Sequence, residues 1–291
     1  MRIGVMGSKY HSNLLLKVLD YAGINGIKLP LIFEGVTSFI GGLKNVDMVH
    51  VVLPPVNVLW IPTLLLLKAL KKKVVVHWIG SDVLKATDNR KTKTVAYLSS
   101  PLIDLHLAGA TWLRDELKEI GISSIYVPLV SDIDMEVSPL PESFTALVFL
   151  PETRYVFYGG PTIEKLAKEF PTIRFLVVGN NRNFREPNIK SLGWIADMKS
   201  IYKKSSVLLR IPRHDGLSLM VLEALSAGRQ VIYSCIFPFC DHARKYIEVK
   251  EALSMLLKNL TVNYEGAKYV KSHFNNKKLT KSLLTIYSSL L

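Results

Sequence analysis

Two acidic residues, Asp215 and Glu223, lie in a single segment, LLRIPRHDGLSLMVLEALSAGRQVIYS, that runs from residue 208 to 234. The segment begins with an apolar run, which predicts a strand, and continues with an Asp-Gly turn, which predicts a loop. Helix-compatible apolar spacing ended by a glycine then predicts a helix, and a second apolar run predicts a second strand. In an open α/β sheet, such a loop lies at the carboxyl edge, where ligands bind and a helix start presents unpaired N–H groups. The segment therefore predicts an anion site, with two acids placed to accept hydrogen bonds from ligand hydroxyls.

The segments that would position this site alternate between strand-like and helix-like patterns along most of the chain. Such alternation predicts parallel sheets covered by helices. The pattern fails only between 131 and 142, where two prolines, acids and serines predict a linker. A length of 291 residues also favours two domains. We therefore predict two Rossmann-like, doubly wound α/β domains, 1–135 and 142–291, the second ending in helices.

Four predicted elements in the first half follow directly from local patterns. Thr94–Leu98 and Leu105–Ala108 are weaker strand candidates, and Thr111–Ile120 is predicted to be a helix stopped by a glycine. The apolar segment Trp60–Leu70, which is followed by three lysines, is predicted to be a buried crossover helix with cations at its carboxyl end. A helix lying on a membrane surface is the less favoured alternative.

The composition narrows the class of protein. Hydrophobic residues make up 49% of the chain and charged residues 21%, which argues against wholesale disorder. No apolar run reaches the roughly eighteen residues that a membrane-spanning helix needs, and the first residues resemble a strand rather than a signal peptide. We therefore expect a cytoplasmic protein. Its two cysteines, Cys235 and Cys240, lack partners at zinc-like spacing and are predicted to be reduced thiols.

The net charge of +13 comes mostly from the second half, where residues 141–291 carry 22 Lys and Arg against 12 Asp and Glu. The longest basic run is Lys71–Lys73, and no nucleic-acid module is recognisable, so we predict no nucleic-acid partner. A basic surface suits a nucleoside diphosphate and an anionic membrane equally well, so peripheral binding at the inner membrane face stays open. A solvated surface with no partner is an equal alternative.

Two further strand ends are candidate sites. Val74–His77 is followed by WIGSDV, which places His77 at a carboxyl-end loop, although a strand-end histidine on its own is more often structural. Gly7 follows the first strand, and the amides of its turn are predicted to approach a phosphate or an acceptor. A simple tight turn is the equal alternative there. The turn lacks the GxGxxG pattern, which argues against a nicotinamide dinucleotide fold.

The segment around Asp215 resembles the signature of the family 4 (group 1) retaining glycosyltransferases, in which an acid-Gly loop precedes a Glu-Ala dipeptide by eight residues and a Gly-x-x-Val-Ile turn follows. The matching positions are Asp215, Gly216, Glu223, Ala224, Gly228, Val231 and Ile232. The first acid is usually Glu in the family and is Asp here. HWIGSD resembles the family's HGxD segment, and Gly193-Trp194-Ile195 its glycine loop. The resemblance implies the GT-B architecture: two doubly wound domains, a ligand cleft between them and a final helix that crosses back to the first domain.

The resemblance also implies roles for individual residues. Asp215 and His77 would bind hydroxyls of a donor sugar, and Glu223 the ribose hydroxyls of its nucleotide. The amides around Gly216, Leu217 and Ser218 would hold the diphosphate. Trp194 would contact the nucleobase, with packing of the indole in the core as the alternative.

One part of the family pattern is missing. Relatives carry an Arg and a Lys after the first strand of the second domain, which grip the donor phosphates, and this chain has no matching lysine. Arg154 is the candidate for the arginine, and Arg210 or Arg213 for the missing charge, because a guanidinium binds phosphate oxygens at two points.

The resemblance implies a retaining glycosyltransferase that moves a hexose from a UDP- or GDP-linked donor to a glycan, lipid-linked or small-molecule acceptor. In such enzymes helix dipoles and arginines stabilise the leaving diphosphate, so neither a metal nor a further cofactor is expected. A nucleotide-sugar epimerase of the same fold and a non-catalytic GT-B binding module are the alternatives.

Overall fold

The computed structural model describes residues 1–30, 32, 35–131, 133 and 135–291. Two compact units make up the chain, one formed by Met1–Asp132 with Phe274–Leu291 and the other by Ile133–His273. Each unit contains a six-stranded sheet. All the strand pairs in both sheets are parallel, as the alternating pattern predicts.

The first unit has strand order β2-β1-β3-β4-β5-β6. Its strands are β1 (Arg2–Gly7), β2 (Asn25–Lys28), β3 (Met48–Val52), β4 (Lys73–Trp78), β5 (Leu105–Ala108) and β6 (Ile125–Tyr126). Its helices before the second unit are α1 (Lys9–Tyr21), α2 (Val36–Leu43), α3 (Trp60–Ala69), α4 (Ser81–Asp88), α5 (Arg90–Ser99) and α6 (Thr111–Glu119). The predicted strand Thr94–Leu98 is wrong, because these residues lie within α5.

Helix α3 is the predicted apolar segment. Trp60, Leu64 and Leu67 are buried on one side, while Leu65 is 52% exposed on the other. At its carboxyl end, Nζ of Lys68 bonds Oδ2 of Asp104 at 2.6 Å. The helix is thus a crossover helix with a buried face, as predicted. No helix in the described ranges combines the length and the apolar character needed to span a bilayer.

The second unit has strand order β12-β11-β10-β7-β8-β9. Its strands are β7 (Thr145–Phe149), β8 (Arg174–Val178), β9 (Ile189–Ser191), β10 (Val207–Arg210), β11 (Gln230–Tyr233) and β12 (Asp241–His242). Its helices are α7 (Gly160–Glu169), α8 (Lys199–Lys203), α9 (Leu219–Ser226), α10 (Tyr246–Lys258) and α11 (Tyr264–His273). Side chains from β7, β8, β10 and α7 form a continuous apolar core on one face of the sheet.

The last helix, α12 (Asn276–Leu290), packs with the first unit although the predicted boundaries counted it with the second. Leu279, Leu283 and Tyr287 are buried in the core of the first unit. The hydroxyl of Tyr287 lies 2.6 Å from Nδ1 of His50 on β3. The crossing that the family resemblance implied is therefore present.

The predicted linker is attached to the second unit by Arg229. This side chain is fully buried and donates hydrogen bonds to the carbonyls of Pro139 and Ser205, both at 3.1 Å, and to Ser138. The guanidinium satisfies backbone carbonyls of a segment whose described residues form no helix or strand. Residues 132 and 134, which the linker prediction also covers, lie outside the described residues.

Candidate functional site

The predicted acid-Gly loop lies at the carboxyl edge of the second sheet. It follows β10, and α9 begins at Leu219, with Ser218 as its N-cap. The amides of Val221 and Leu222 bond to the carbonyl of Ser218 at 3.1 and 3.3 Å, while the Ser218 side chain makes no capping bond. The first N–H groups of a helix have no intrahelical acceptor, so this end of α9 can receive an anion.

Arg210 and Asp215 form a bidentate ion pair within this loop. Nε of Arg210 donates to Oδ2 of Asp215 at 2.7 Å, and Nη2 to Oδ1 at 3.0 Å. The side chains are only 9% and 12% exposed. Burial lowers the pKa of Arg210, but the charge of Asp215 and its hydrogen bonds outweigh burial, so the net shift is upward. The predicted sugar acid and a predicted phosphate arginine are therefore bound to each other.

Tyr233, at the end of β11, completes this cluster. Its hydroxyl donates to the carbonyl of Gly216 at 2.8 Å and lies 3.3 Å from Oδ2 of Asp215. Burial, followed by the charge of Asp215, raises the Tyr233 pKa well above its usual value. Tyr233 therefore remains a neutral donor that fixes the backbone of the acid-Gly loop. Tyr233 was not among the predicted site residues, because its position at a strand end is its only sequence signal.

Glu223 lies on α9, one helix turn beyond Leu219, and its side chain is partly buried. The hydroxyl of Tyr202, at the end of α8, donates to its Oε2 at 2.7 Å. Burial raises the pKa of Glu223, and the bond from Tyr202 partly offsets that rise. Since a carboxylate has about four lone-pair sites, the remaining oxygen can accept further hydrogen bonds. Tyr202 was not among the predicted site residues.

Trp194 is 81% exposed, so the alternative that its indole packs in the core is wrong. It follows Gly193, whose φ of +67° is a left-handed conformation that glycine adopts readily. A Cβ at Gly193 would lie 2.5 Å from Oδ1 of Asn181, in the loop after β8. A glycine is thus needed where these two loops meet, and the exposed indole beside them is available to a ligand.

Arg154 is exposed at the end of a 3₁₀ turn, Glu152–Arg154, that follows β7. Its guanidinium lies 3.8 Å from the centre of the Phe157 ring, a cation–π contact. Strand β7 pairs with β10, so Arg154 follows the strand next to the one that leads to Asp215. A further cavity of about 300 Å³ lies at this edge, lined by Glu152, Tyr155, Asn180, Asn181 and Arg182.

His77 is placed differently from the prediction. Its ring is fully buried in the first unit, its Nε2 lies 2.8 Å from the carbonyl oxygen of Val127, and it stacks on His50 with 5.5 Å between ring centres. Burial is the main reason that its pKa falls to about 4. The imidazole is thus a neutral core group rather than one exposed to a sugar, and its catalytic role stays a prediction.

The loops beside His77 and after β1 also have structural explanations. Asp82 accepts hydrogen bonds from the amides of Ile79, Gly80 and Val83, which closes its own loop. Gly7 has a φ of +130°, and a Cβ there would meet the carbonyl oxygen of Val52 at 1.8 Å. The tight-turn alternative therefore accounts for Gly7, and phosphate binding there stays a prediction.

No group of three or more His, Cys, Asp or Glu side chains among the described residues is arranged to hold a metal ion. Both cysteines are free and half-buried.

A comparison with known protein families finds a match that includes the same loop and helix. Residues 160–254, from α7 into α10, match the family model described as Glycosyl transferases group 1. This range contains Asp215, Glu223 and Trp194. Among curated proteins, none matches the chain in sequence.

Solved structures match most or all of the chain. They include HepE of Anabaena in complex with UDP and glucose, with a TM-score of 0.78, 12% identity and 99% of each chain covered. Sucrose-phosphate synthase from Thermosynechococcus elongatus matches with a TM-score of 0.77 and 13% identity, over 100% of this chain and 99% of that one. The pneumococcal O-GlcNAc transferase GtfA, in complex with UDP and GlcNAc, matches with a TM-score of 0.63 and 13% identity, over 88% of this chain and 59% of that one.

At these identities the structural likeness shows the fold alone. It agrees with the two parallel α/β units, so the predicted GT-B fold is confirmed. The family match independently falls on the unit that holds the acid-Gly loop and Glu223. The chain therefore has the GT-B fold, and its second unit carries the sequence signature of the group 1 glycosyltransferases.

Proposed function

We propose that the chain is a retaining glycosyltransferase that moves a hexose from a nucleotide sugar to a glycan, lipid-linked or small-molecule acceptor. The observation that carries this proposal is the placement of Asp215 and Glu223, each held by a buried partner, on the loop and helix at the carboxyl edge of the second sheet. That edge is where doubly wound sheets bind their ligands. Because HepE was solved with UDP-glucose as well as with UDP, a UDP-linked donor is the first to test.

The contacts available at this edge suit the parts of such a donor. Glu223 keeps one carboxylate oxygen for the ribose hydroxyls while Tyr202 holds the other. The start of α9 offers its amides, around Gly216, Leu217 and Ser218, to the diphosphate. Exposed Trp194 offers an aromatic face to the base.

Positive charge for the diphosphate comes from Arg154, with Arg210 as a second source. Arg154 is exposed, whereas Nε and Nη2 of Arg210 are bound to Asp215, so Arg154 is the more available guanidinium. An arginine can replace the family's missing lysine because it binds phosphate oxygens at two points.

In the proposed reaction, the bond from the anomeric carbon to the diphosphate oxygen breaks and its electron pair goes to the diphosphate. The acceptor oxygen bonds to the same face of that carbon, and its proton goes to the departing phosphate. The helix start and the guanidinium stabilise the charge that develops, which is an electrostatic form of catalysis. No co-reactant other than the nucleotide sugar and the acceptor enters this scheme.

Calorimetric titration with UDP and with GDP tests the proposal. We expect the unmodified chain to bind one of them and Glu223→Ala to lose that binding, whereas Glu251→Ala, an exposed acid on α10, keeps it. Undiminished affinity in Glu223→Ala would contradict the assignment. Both variants should first be shown to unfold at the same temperature as the parent.

A non-catalytic nucleotide-binding module is the second candidate. The observation that favours it is the pairing of Arg210 with Asp215, which takes up charge that a phosphate clamp would use. Incubation with UDP-glucose, GDP-mannose and UDP-N-acetylglucosamine separates the candidates, because an enzyme of this type should hydrolyse its donor slowly even without acceptor. Nucleotide binding without any turnover or transfer would favour the module.

A further inference from the structure

The second unit has a large groove at the edge of its sheet opposite the acid-Gly loop. Its volume is about 900 Å³. Thr145 and Arg174, the first residues of β7 and β8, line it, so it lies at the amino ends of these strands. In a parallel sheet the amino and carboxyl ends of the strands lie at opposite edges. The groove is therefore separate from the proposed nucleotide site.

The rim of the groove is basic. Arg174, Lys190, Lys203 and Lys204 line it and are exposed, and Glu142 is the one acidic residue among the described residues that line it. Within the described ranges, none of these four cations lies within salt-bridge distance of a carboxylate. Four unpaired cations around one concavity concentrate positive potential there.

The floor of the groove is apolar. Ile173 is fully buried, Leu176 and Ile201 are 7% and 8% exposed, and Leu192 is half-buried. Among the lining residues that the structure describes, none is aromatic. Nucleobases are usually held by stacking on aromatic rings, so the lining does not suit a nucleic acid. A concave apolar floor with a cationic rim instead suits a chain that carries both apolar and acidic groups.

Lys190, the central residue of the edge strand β9, contributes to the lining of the groove. β9 is last in the sheet order, and among the described strands it pairs with β8 alone. An edge strand exposes backbone N–H and C=O groups that an extended peptide can pair with. Alternate side chains of such a peptide point to opposite faces, so apolar residues can meet the floor while acidic ones face the rim.

We propose that this groove binds an extended peptide segment of a partner protein in which acidic and apolar residues alternate. A second copy of this chain is the wrong occupant, because a net charge of +13 makes two copies repel each other. A flat membrane surface fits a concave floor poorly. An extended peptide of this kind therefore matches the concave shape of the groove, the positive charge of its rim and the exposed edge of β9.

A matched pair of variants tests the proposal. The groove variant removes three charges from the groove and is Lys190→Ala/Lys203→Ala/Lys204→Ala. The control variant removes three exposed charges from elsewhere in the same unit and is Arg185→Ala/Lys258→Ala/Lys268→Ala. The probe is a fluorescein-labelled peptide of alternating Glu and Val, titrated with the full chain and followed by anisotropy. We expect the groove variant to bind about tenfold more weakly, equivalent to about 1.4 kcal/mol, and the control to bind as the parent does.

Three further probes decide between occupants: a peptide with Lys in place of Glu, vesicles with anionic phospholipid, and a single-stranded oligonucleotide. Weak binding of all three by the parent supports the proposal. The proposal is overturned if the Glu-Val peptide does not bind, or if both triple variants weaken its binding equally. It is also overturned if vesicles or the oligonucleotide bind the parent more tightly than the peptide does and lose that binding in the groove variant. UDP affinity should be the same in both variants, so this result is independent of the proposed function.

Discussion

The hydroxyl of Tyr202 donates a 2.7 Å hydrogen bond to Oε2 of Glu223, which joins the end of α8 to the proposed ribose-binding carboxylate on α9. This bond fixes the rotamer of a partly buried acid. Tyr202→Phe removes the bond and keeps the packing of the ring. We expect UDP to bind about tenfold more weakly to this variant, because hydrogen bonds to charged groups contribute about 1.5–3 kcal/mol. Calorimetry with UDP measures the effect.

Tyr246→Phe is the matched control for that experiment. Tyr246 lies on α10, and the ammonium of Lys165 lies 3.8 Å from the centre of its ring. It should bind UDP as the parent does. Equal affinity in Tyr202→Phe and the parent would show that Glu223 does not depend on Tyr202 for its orientation.

The Arg210–Asp215 pair should be required for stability. Its side chains are 9% and 12% exposed, so removing one partner leaves a buried charge without compensation. We expect Asp215→Ala to lower the free energy of unfolding by about 3 kcal/mol or more. Urea denaturation at neutral pH measures this loss.

The double variant Arg210→Met/Asp215→Leu separates stability from function. It removes both charges and fills the space with apolar atoms, so it should regain much of the stability lost in Asp215→Ala. It should not regain donor hydrolysis, because no acid remains for the sugar. A double variant no more stable than Asp215→Ala would mean that apolar replacement does not compensate for the lost pair.

Acid should destabilise the first unit through its buried histidines. Burial lowers the pKa values of His77 and His106 to about 4, and that of His50 well below its usual value. In the unfolded chain these groups bind protons near pH 6.5, so the unfolded state binds more protons between about 6.5 and 4. Stability is therefore fully present above pH 6.5 and falls as the pH approaches 4, by about 2 kcal/mol per histidine at pH 5.

Thermal unfolding at pH 7 and pH 5 checks this expectation. His106→Gln should show a smaller drop in midpoint between the two values than the parent, while His242→Gln, an exposed histidine of the second unit, should match the parent. The same drop in all three proteins would assign the pH dependence to groups other than His106.

The sequence predicted the second sheet well because its parallel strands are short apolar runs separated by glycines and helices. It predicted Thr94–Leu98 as a strand because this stretch combines threonine, valine, tyrosine and leucine. In the structure Val95 is buried within α5, whereas Tyr97 and Leu98 are 59% and 56% exposed. Strand β2 was missed because Asn25–Lys28 includes no apolar run. Pattern reasoning fails where apolar residues face solvent or where polar ones pair in a sheet.

The candidate site was predictable as a set of positions but not as a set of bonds. Spacing placed Asp215 and Glu223 at one sheet edge, which the structure shows. The sequence could not indicate that Arg210 would turn toward Asp215 rather than toward a phosphate, since that depends on the path of the loop between β10 and α9. His77 likewise stacks on His50, which in turn contacts Tyr287, and these residues come from distant parts of the chain.

Trp194 provides a direct optical test of where the base binds. Its indole is 81% exposed, so its fluorescence should change on nucleotide binding, and the change should vanish in Trp194→Phe. Trp194→Ala should bind UDP at least about fivefold more weakly, because stacking of a base on an aromatic ring contributes about 1–3 kcal/mol. Trp194→Phe should restore most of that affinity, and neither change should shift the unfolding free energy by more than about 0.5 kcal/mol, as expected of an exposed side chain. If UDP affinity is the same in Trp194→Ala and the parent, the base must bind elsewhere, and the cavity beside Asn181 and Arg182 becomes the next place to test.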